Sequence, residues 1–427
     1  MYLKLSLRSA LRDRRDYQLY TLTLTVLTGV MTLAQMAAAL GDRAGLETAS
    51  LPLLVGLILV VLLRYVSRFI LRQRAQEFAL YLLMGMERRH LAWMFFLEFF
   101  LLGCLCLAGG IVLGAGMGCC LLSLSPERGP LLPAIGSAAA ETAGYFLAVQ
   151  LVSLVSTAQL IRRLEIRELT AERASDRSWN LGPGRVWAAA AGVSFAVLSA
   201  ALLGIAFAPG AADMLVGLVS LPALALVFCF YRALYALLSG YRRRGGRLLL
   251  RGDRLFLASQ LLSGGAQSAL LDSVLCLCLL LAAAAFLCGG AMLSRDWPGM
   301  DPDLAHWMGF LQAAICVIFL VIYFAVLSLR QAVDAQYARR SVRILRQLGR
   351  SGRDIRGLLA RQTCLRFALP LLLCLPLLAL AVPLAGFRLS ILPLAAALCG
   401  GFLLCFGGLW GLYAWTVCRL NGRMAGD

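Results

Sequence analysis

Fourteen cysteines and two histidines are the side chains of this 427-residue chain that could hold a metal or attack an electrophile. Their spacing argues against both. Nearly all the cysteines fall inside apolar runs (Cys104, Cys106, Cys276, Cys278, Cys316, Cys374 and Cys405 are typical), as C-x-C or as the adjacent pair Cys119–Cys120. Zinc-type sites need C-x-x-C units or cysteines with a partnering histidine, whereas a thiol in an apolar run acts as a small, soft hydrophobe. His90 and His306 adjoin different apolar runs and, on the topology below, lie near opposite membrane faces. No G-x-x-x-x-G-K-[ST] phosphate loop occurs, so the chain does not hydrolyse ATP by that route. No catalytic residue, metal site or cofactor is expected. One carboxylate, Glu98, lies within an apolar run, where ionisation costs a few kcal/mol if the group faces lipid. It is either a proton or cation site, or a structural group reaching Arg64 or Arg68.

The elements that carry these residues are membrane spans. The chain is 61% hydrophobic, well above the roughly half-apolar norm of soluble domains. A hydrocarbon core about 30 Å thick needs about twenty apolar residues in helix. Ten runs meet or approach that length: Tyr17–Leu40, Leu46–Tyr65, Leu91–Met117, Thr142–Ile161, Val186–Ala208, Met214–Tyr231, Ser273–Ser294, Trp307–Leu329, Phe367–Phe387 and Ile391–Cys418. The first exceeds the usual core of a signal peptide and is read as a retained span. With both termini cytoplasmic, 36 of the 40 lysines and arginines fall on the inner side, leaving Arg43, Arg128, Arg295 and Arg388 outside. That bias obeys the positive-inside rule. It also accounts for the net charge of +18 without nucleic acid, since no segment is long and polar enough to form a folded basic domain.

Two cytoplasmic stretches repeat one pattern. The first, RQRAQEFALYLLMGMERRHLAWMFFLEFF, runs from Arg72 to Phe100; the second, ARRSVRILRQLGRSGRDIRGLLARQTCLRF, runs from Ala338 to Phe367. Aligning Gly85 with Gly349 pairs Leu80 with Ile344, Met84 with Leu348, Arg89 with Arg353 and Leu91 with Ile355. Each copy reads as a basic amphipathic helix between two apolar spans, with a glycine break before the next helix. The expected order is four, two and four helices. Residues 1–16 form an amphipathic cytoplasmic segment, 17–170 a first four-helix unit, 171–240 a linker with helices five and six, and 241–427 a second four-helix unit. Weak internal repeats are a common plan of transporters. Asp272 is read as opening helix seven, where a carboxylate suits the positive helix end. Pro370, Pro376 and Pro383 are candidates to kink helix nine.

The opening KLSLRSALRDRRDYQLYTLTLT, the two repeated stretches and the intervening RGDRLFLASQL resemble, in order, FtsX-like ABC permeases of the bacitracin-resistance type. The resemblance implies an all-α integral protein of the bacterial plasma membrane, with ten helices in two FtsX-like units. Two departures stand out. The family usually carries a large external domain between helices seven and eight, where this chain has only Arg295–Asp303 and a few neighbours. Glu77 of the first stretch is matched by Ser341 in the second.

The resemblance further implies a permease subunit driven by a separate ABC ATPase dimer, which exports, extracts or detoxifies an amphipathic peptide or lipid-linked molecule. Membrane lipids are the other expected partner. The coupling residues it points to are Glu77, Phe78, Leu82, Gly85, Met86, Arg88 and Arg89 in the first copy, with Val342, Leu345, Leu348, Gly349, Arg350 and Arg353 in the second. The blander account of both stretches is that of interfacial helices held by anionic lipid, at about 1 kcal/mol per arginine. Competing functions are a sensory protein relaying a signal to a histidine kinase, and an ion-coupled secondary transporter that would use Glu98.

Overall fold

A computed structural model describes residues 14–43, 50–73, 80–124, 131–163, 183–207, 212–243, 254–262, 265–294, 302–347, 349–389 and 392–424. Eleven helices make up almost all of them, and no strand occurs among the described residues. They are α1 (Arg14–Arg43), α2 (Ser50–Gln73), α3 (Arg88–Leu124), α4 (Leu131–Arg163), α5 (Gly184–Phe207), α6 (Ala212–Arg243), α7 (Arg254–Leu262), α8 (Gly265–Ser294), α9 (Pro302–Gln347), α10 (Gly352–Leu389) and α11 (Leu392–Met424).

Nine of the described helices are long and apolar enough to cross a membrane, which makes this a multi-pass membrane protein. In α2 the apolar run Leu51–Ser67 falls short of that length, because Arg64, Arg68 and Arg72 occupy its second half.

The chain forms two compact units, one of residues 1–176 with 296–333, the other of residues 177–295 with 334–427. In the first, α1 packs against α2, α3 and α4 and is its most enclosed span. Its tightest partner is α3, and small residues explain why. A Cβ on Gly110 would lie 2.7 Å from Thr28 Cβ and 2.9 Å from the Gly29 nitrogen; one on Gly114 would lie 2.6 Å from Thr32 Cβ. Gly110, Gly114 and Gly118 are four apart, so one face of α3 is bare backbone, and close approach of this kind drives helix association in lipid. The threonines of α1 are satisfied in the same seam. The Thr28 hydroxyl bonds to the Leu24 carbonyl (2.9 Å) and across to the Cys106 carbonyl of α3 (3.1 Å). At one end of the unit Met36, Ile135, Ala138 and Trp307 cluster, so the end of α1 meets the beginnings of α4 and α9.

In the second unit α5 and α6 form an antiparallel hairpin along their lengths, α6 packs on α8, and α10 pairs with α11. The Arg232 guanidinium of α6 lies 4.5 Å from the Trp187 ring centroid, a cation–π contact near the start of α5. Two buried tyrosines tie α6 to its neighbours: the Tyr231 hydroxyl donates to the Leu369 carbonyl of α10 (2.8 Å), and that of Tyr235 to Asp272 Oδ2 of α8 (2.6 Å). Asp272 does not open its helix. Because α8 starts at Gly265, this fully buried carboxylate lies well inside the helix and is met by a side-chain donor rather than a helix end. Pro370, Pro376 and Pro383 do not interrupt α10, which is helical from Gly352 to Leu389. Tyr231 donates beside the first of them, to the Leu369 and Pro370 carbonyls (2.8 and 3.2 Å).

The second basic stretch is not a separate helix. α9 continues unbroken for 46 residues to Gln347, about 69 Å at 1.5 Å per residue. Its apolar span ends at Ala335, and the arginine-rich remainder is simply its extension. No glycine or proline interrupts 310–347, so helix formers carry the helix on until Gly349 stops it.

Candidate functional site

The repeated stretches meet their following helices through the same turn. Gly85 has φ +89° and Gly349 φ +81°, the left-handed region that glycine enters at no steric cost. At the first turn, the Gly85 N–H donates to the Leu82 carbonyl (3.1 Å) and the Met86 N–H to that of Tyr81 (3.1 Å). At the second, the Gly349 N–H donates to the Arg346 carbonyl (3.0 Å) and the Arg350 N–H to that of Leu345 (3.1 Å). Both are glycine C-caps with paired 5→2 and 6→1 bonds that satisfy the last carbonyls of a helix. The register inferred from side chains is thus reproduced bond for bond in the backbone.

Each turn is followed at once by a new helix, α3 at Arg88 and α10 at Gly352. The second has a reciprocal cap: the Asp354 N–H donates to Ser351 Oγ (3.2 Å), and that hydroxyl donates to Asp354 Oδ2 (2.9 Å), which satisfies one free donor of the first turn. At the first, Glu87 and His90 hold the aligned positions with side chains 3.4 Å apart. Val342 and Leu345 pack on buried Ile355 and Leu359. The end of α9 and the start of α10 therefore fold against each other, and the second turn is a braced elbow.

Glu77, Phe78 and Leu348 lie outside the described residues. Leu82 and Met86 are half-buried, as are Val342 and Leu345; Arg89, Arg350 and Arg353 are exposed, and Arg88 opens α3. The most exposed apolar side chains at the elbows are others. Leu80, Leu83 (71% exposed) and Met84 project from the first, and Ile344 (49%), aligned with Leu80, from the second. Positions 80, 83 and 84 share one helix face, a spacing legible in the sequence. Glu98 is 2% exposed within α3, and the aligned Gln362 of α10 is also buried, so the repeat carries an enclosed polar group at one position in both copies. Arg64 is exposed. Among the described residues no cluster of histidine, cysteine or carboxylate could hold a metal ion.

Residues 49–166 match the model of the FtsX-like permease C-terminal family. This stretch resembles an FtsX-like permease. It holds α2, the first elbow, α3 and α4, the three helices against which α1 packs. No curated protein matches the chain. The second elbow lies outside the FtsX-like residues, and its likeness to the first rests on the internal repeat and the shared backbone turn.

Proposed function

We propose that the chain is the membrane-spanning permease subunit of an ABC transporter whose ATPase is a separate protein. The observation that carries this reading is the matched pair of glycine-capped elbows, one of them inside the FtsX-like stretch. An ATPase dimer closing on ATP would press on both elbows. Leu80, Leu83, Met84 and Ile344 would enter apolar clefts on its surface, and Arg88, Arg89, Arg350 and Arg353 would meet its acidic rim. Glu77, Phe78 and Leu348 would extend the same surfaces. Gly85 and Gly349 would hold the turns in shape while load passes along α3 and α10.

In this reading α2 is the tenth span, its arginines reaching the inner headgroups as long basic side chains do, and both termini are cytoplasmic. The arrangement is four, two and four helices in a bacterial plasma membrane. The cargo is an amphipathic peptide or a lipid-linked molecule, exported or extracted. With only a short link between α8 and α9, it is recognised within the membrane plane or by another subunit.

The test is purification of the tagged chain from native membranes in mild detergent, with mass spectrometry of what accompanies it. A stoichiometric ATPase, lost on charge reversal at Arg88–Arg89 or Arg350 with Arg353, is the expected result. Recovery without an ATPase, under conditions where a control permease keeps its own, would replace this reading with a stand-alone sensor that signals to a kinase.

A further inference from the structure

Behind the second elbow an arginine is buried in α10, where the helix turns from its charged first turns to its apolar run. Arg366 of α10 is 5% exposed, and its guanidinium reaches two other elements at once. Nη1 forms an ion pair with Asp334 of α9. Nη2 donates to the Gln260 carbonyl of α7 at 2.7 Å. Gln260 is in the last turn of α7, so this carbonyl is among those a helix end leaves unpaired, and a cation suits that end. One side chain thereby joins the helix that runs to the elbow, the helix that leaves it, and the short helix that leads into α8.

The aligned positions of the first elbow do not carry this pair. In the register that pairs Gly85 with Gly349, Asp334 falls opposite Ile70 and Arg366 opposite Leu102, and neither can carry charge. An enclosed ion pair is no more stabilising than a well-packed apolar pair of similar volume. It differs in how it yields. Apolar surfaces slide past one another at little cost, whereas separating opposite charges away from water leaves each one uncompensated.

We propose that Arg366 is a positioning residue that locks α7, α9 and α10 together, so that displacement of the Gly349 elbow is transmitted to α7 and α8. The Gly85 elbow does not carry this pair at the aligned positions. The source of the displacement rests on the coupling role proposed above; the lock itself does not.

Hydrogen exchange of the full chain in lipid nanodiscs tests the lock. Arg366→Gln and Asp334→Asn should each raise exchange across 254–262 about tenfold or more, as expected when a local opening loses its main restraint. The double variant should add little to either single change, and the exchanged pair, Arg366→Asp with Asp334→Arg, should recover much of the loss. Exchange in α1 and α3 should not move. Additive single effects, or unchanged exchange across 254–262, would overturn the proposal. Transmission is tested on the complex with its co-purified ATPase trapped by ATP and vanadate. The unaltered chain should respond at 342–353 and at 254–262, and Arg366→Gln should keep the first response and lose most of the second. A second response that survives in the variant overturns the link. If the unaltered complex responds at neither elbow, the coupling role is what fails, and the non-additivity measured on the chain alone still decides the lock.

Discussion

Tyr235 of α6 places its hydroxyl 2.6 Å from Asp272 Oδ2 of α8, and both side chains are buried. The carboxyl group lies inside a span and accepts this bond from the neighbouring helix, so the pair fixes the rotation of α6 against α8. Tyr235→Phe removes the donor and leaves the acceptor in place, the more expensive way to break a hydrogen bond. A loss of about 1 kcal/mol is expected, in keeping with cross-helix hydrogen bonds in bilayers. Reversible unfolding in mixed micelles would show it, and Tyr235→Phe combined with Asp272→Leu should cost less than the two single changes added together.

The α1–α3 seam predicts a position-dependent response to added methyl groups. Gly114→Ala brings a Cβ to 2.6 Å from Thr32 Cβ, whereas Gly116 has open space around it. Overpacking of a closed seam costs about 1–3 kcal/mol. Gly114→Ala should therefore lower the unfolding midpoint clearly, and Gly116→Ala should leave it unchanged or raise it. Equal effects at the two sites would contradict the close approach.

At the elbows the penalty is conformational. No atom lies within 4 Å of a Cβ built on Gly85 or Gly349, so Gly85→Ala and Gly349→Ala meet only the left-handed backbone cost, roughly 1–2 kcal/mol. Asparagine tolerates that conformation better, and Gly349→Asn should recover part of the loss. Gly357, inside α10 with open surroundings, should respond in the opposite sense, since Gly→Ala within a helix is worth about 0.5–1 kcal/mol. Local hydrogen exchange across 342–359 would report the Gly349 and Gly357 changes, and exchange across 80–90 that at Gly85.

Leu83→Asp is the sharpest test of the docking face. With Leu83 already 71% exposed, folding should hardly change, because surface substitutions usually stay within about 0.5 kcal/mol. Recovery of a co-purifying ATPase should fall sharply. Undiminished recovery with both Leu83→Asp and Ile344→Asp would place docking elsewhere.

Much of this protein was legible in one dimension. The repeat about Gly85 and Gly349 could be read from aligned side chains because a glycine C-cap is a local device: its hydrogen bonds close within six residues, and only glycine enters that conformation freely. The spans were legible for a similar reason, since lipid demands about twenty apolar residues at a time. The end of α9 was not. An amphipathic stretch after a span reads equally as a new helix or as an extension, and only the unbroken backbone to Gln347 decides it.

What the sequence by itself determined is therefore everything carried by local periodicity and bulk solvent preference: an all-helical membrane protein, its apolar spans, and the position of both elbows. Side-chain allegiance was decided only by tertiary structure. Val342 and Leu345 turn toward Ile355 and Leu359 while Ile344 is left outside; Asp272 answers to Tyr235; Arg366 closes on Asp334 and Gln260. Each depends on which helix lies alongside, and in a chain that is apolar almost all round its spans, hydropathy does not say which face meets protein and which meets lipid. The small residues of α3 and the few polar groups between spans make that choice, because only there does one helix rotation differ from another by a hydrogen bond or a close backbone contact.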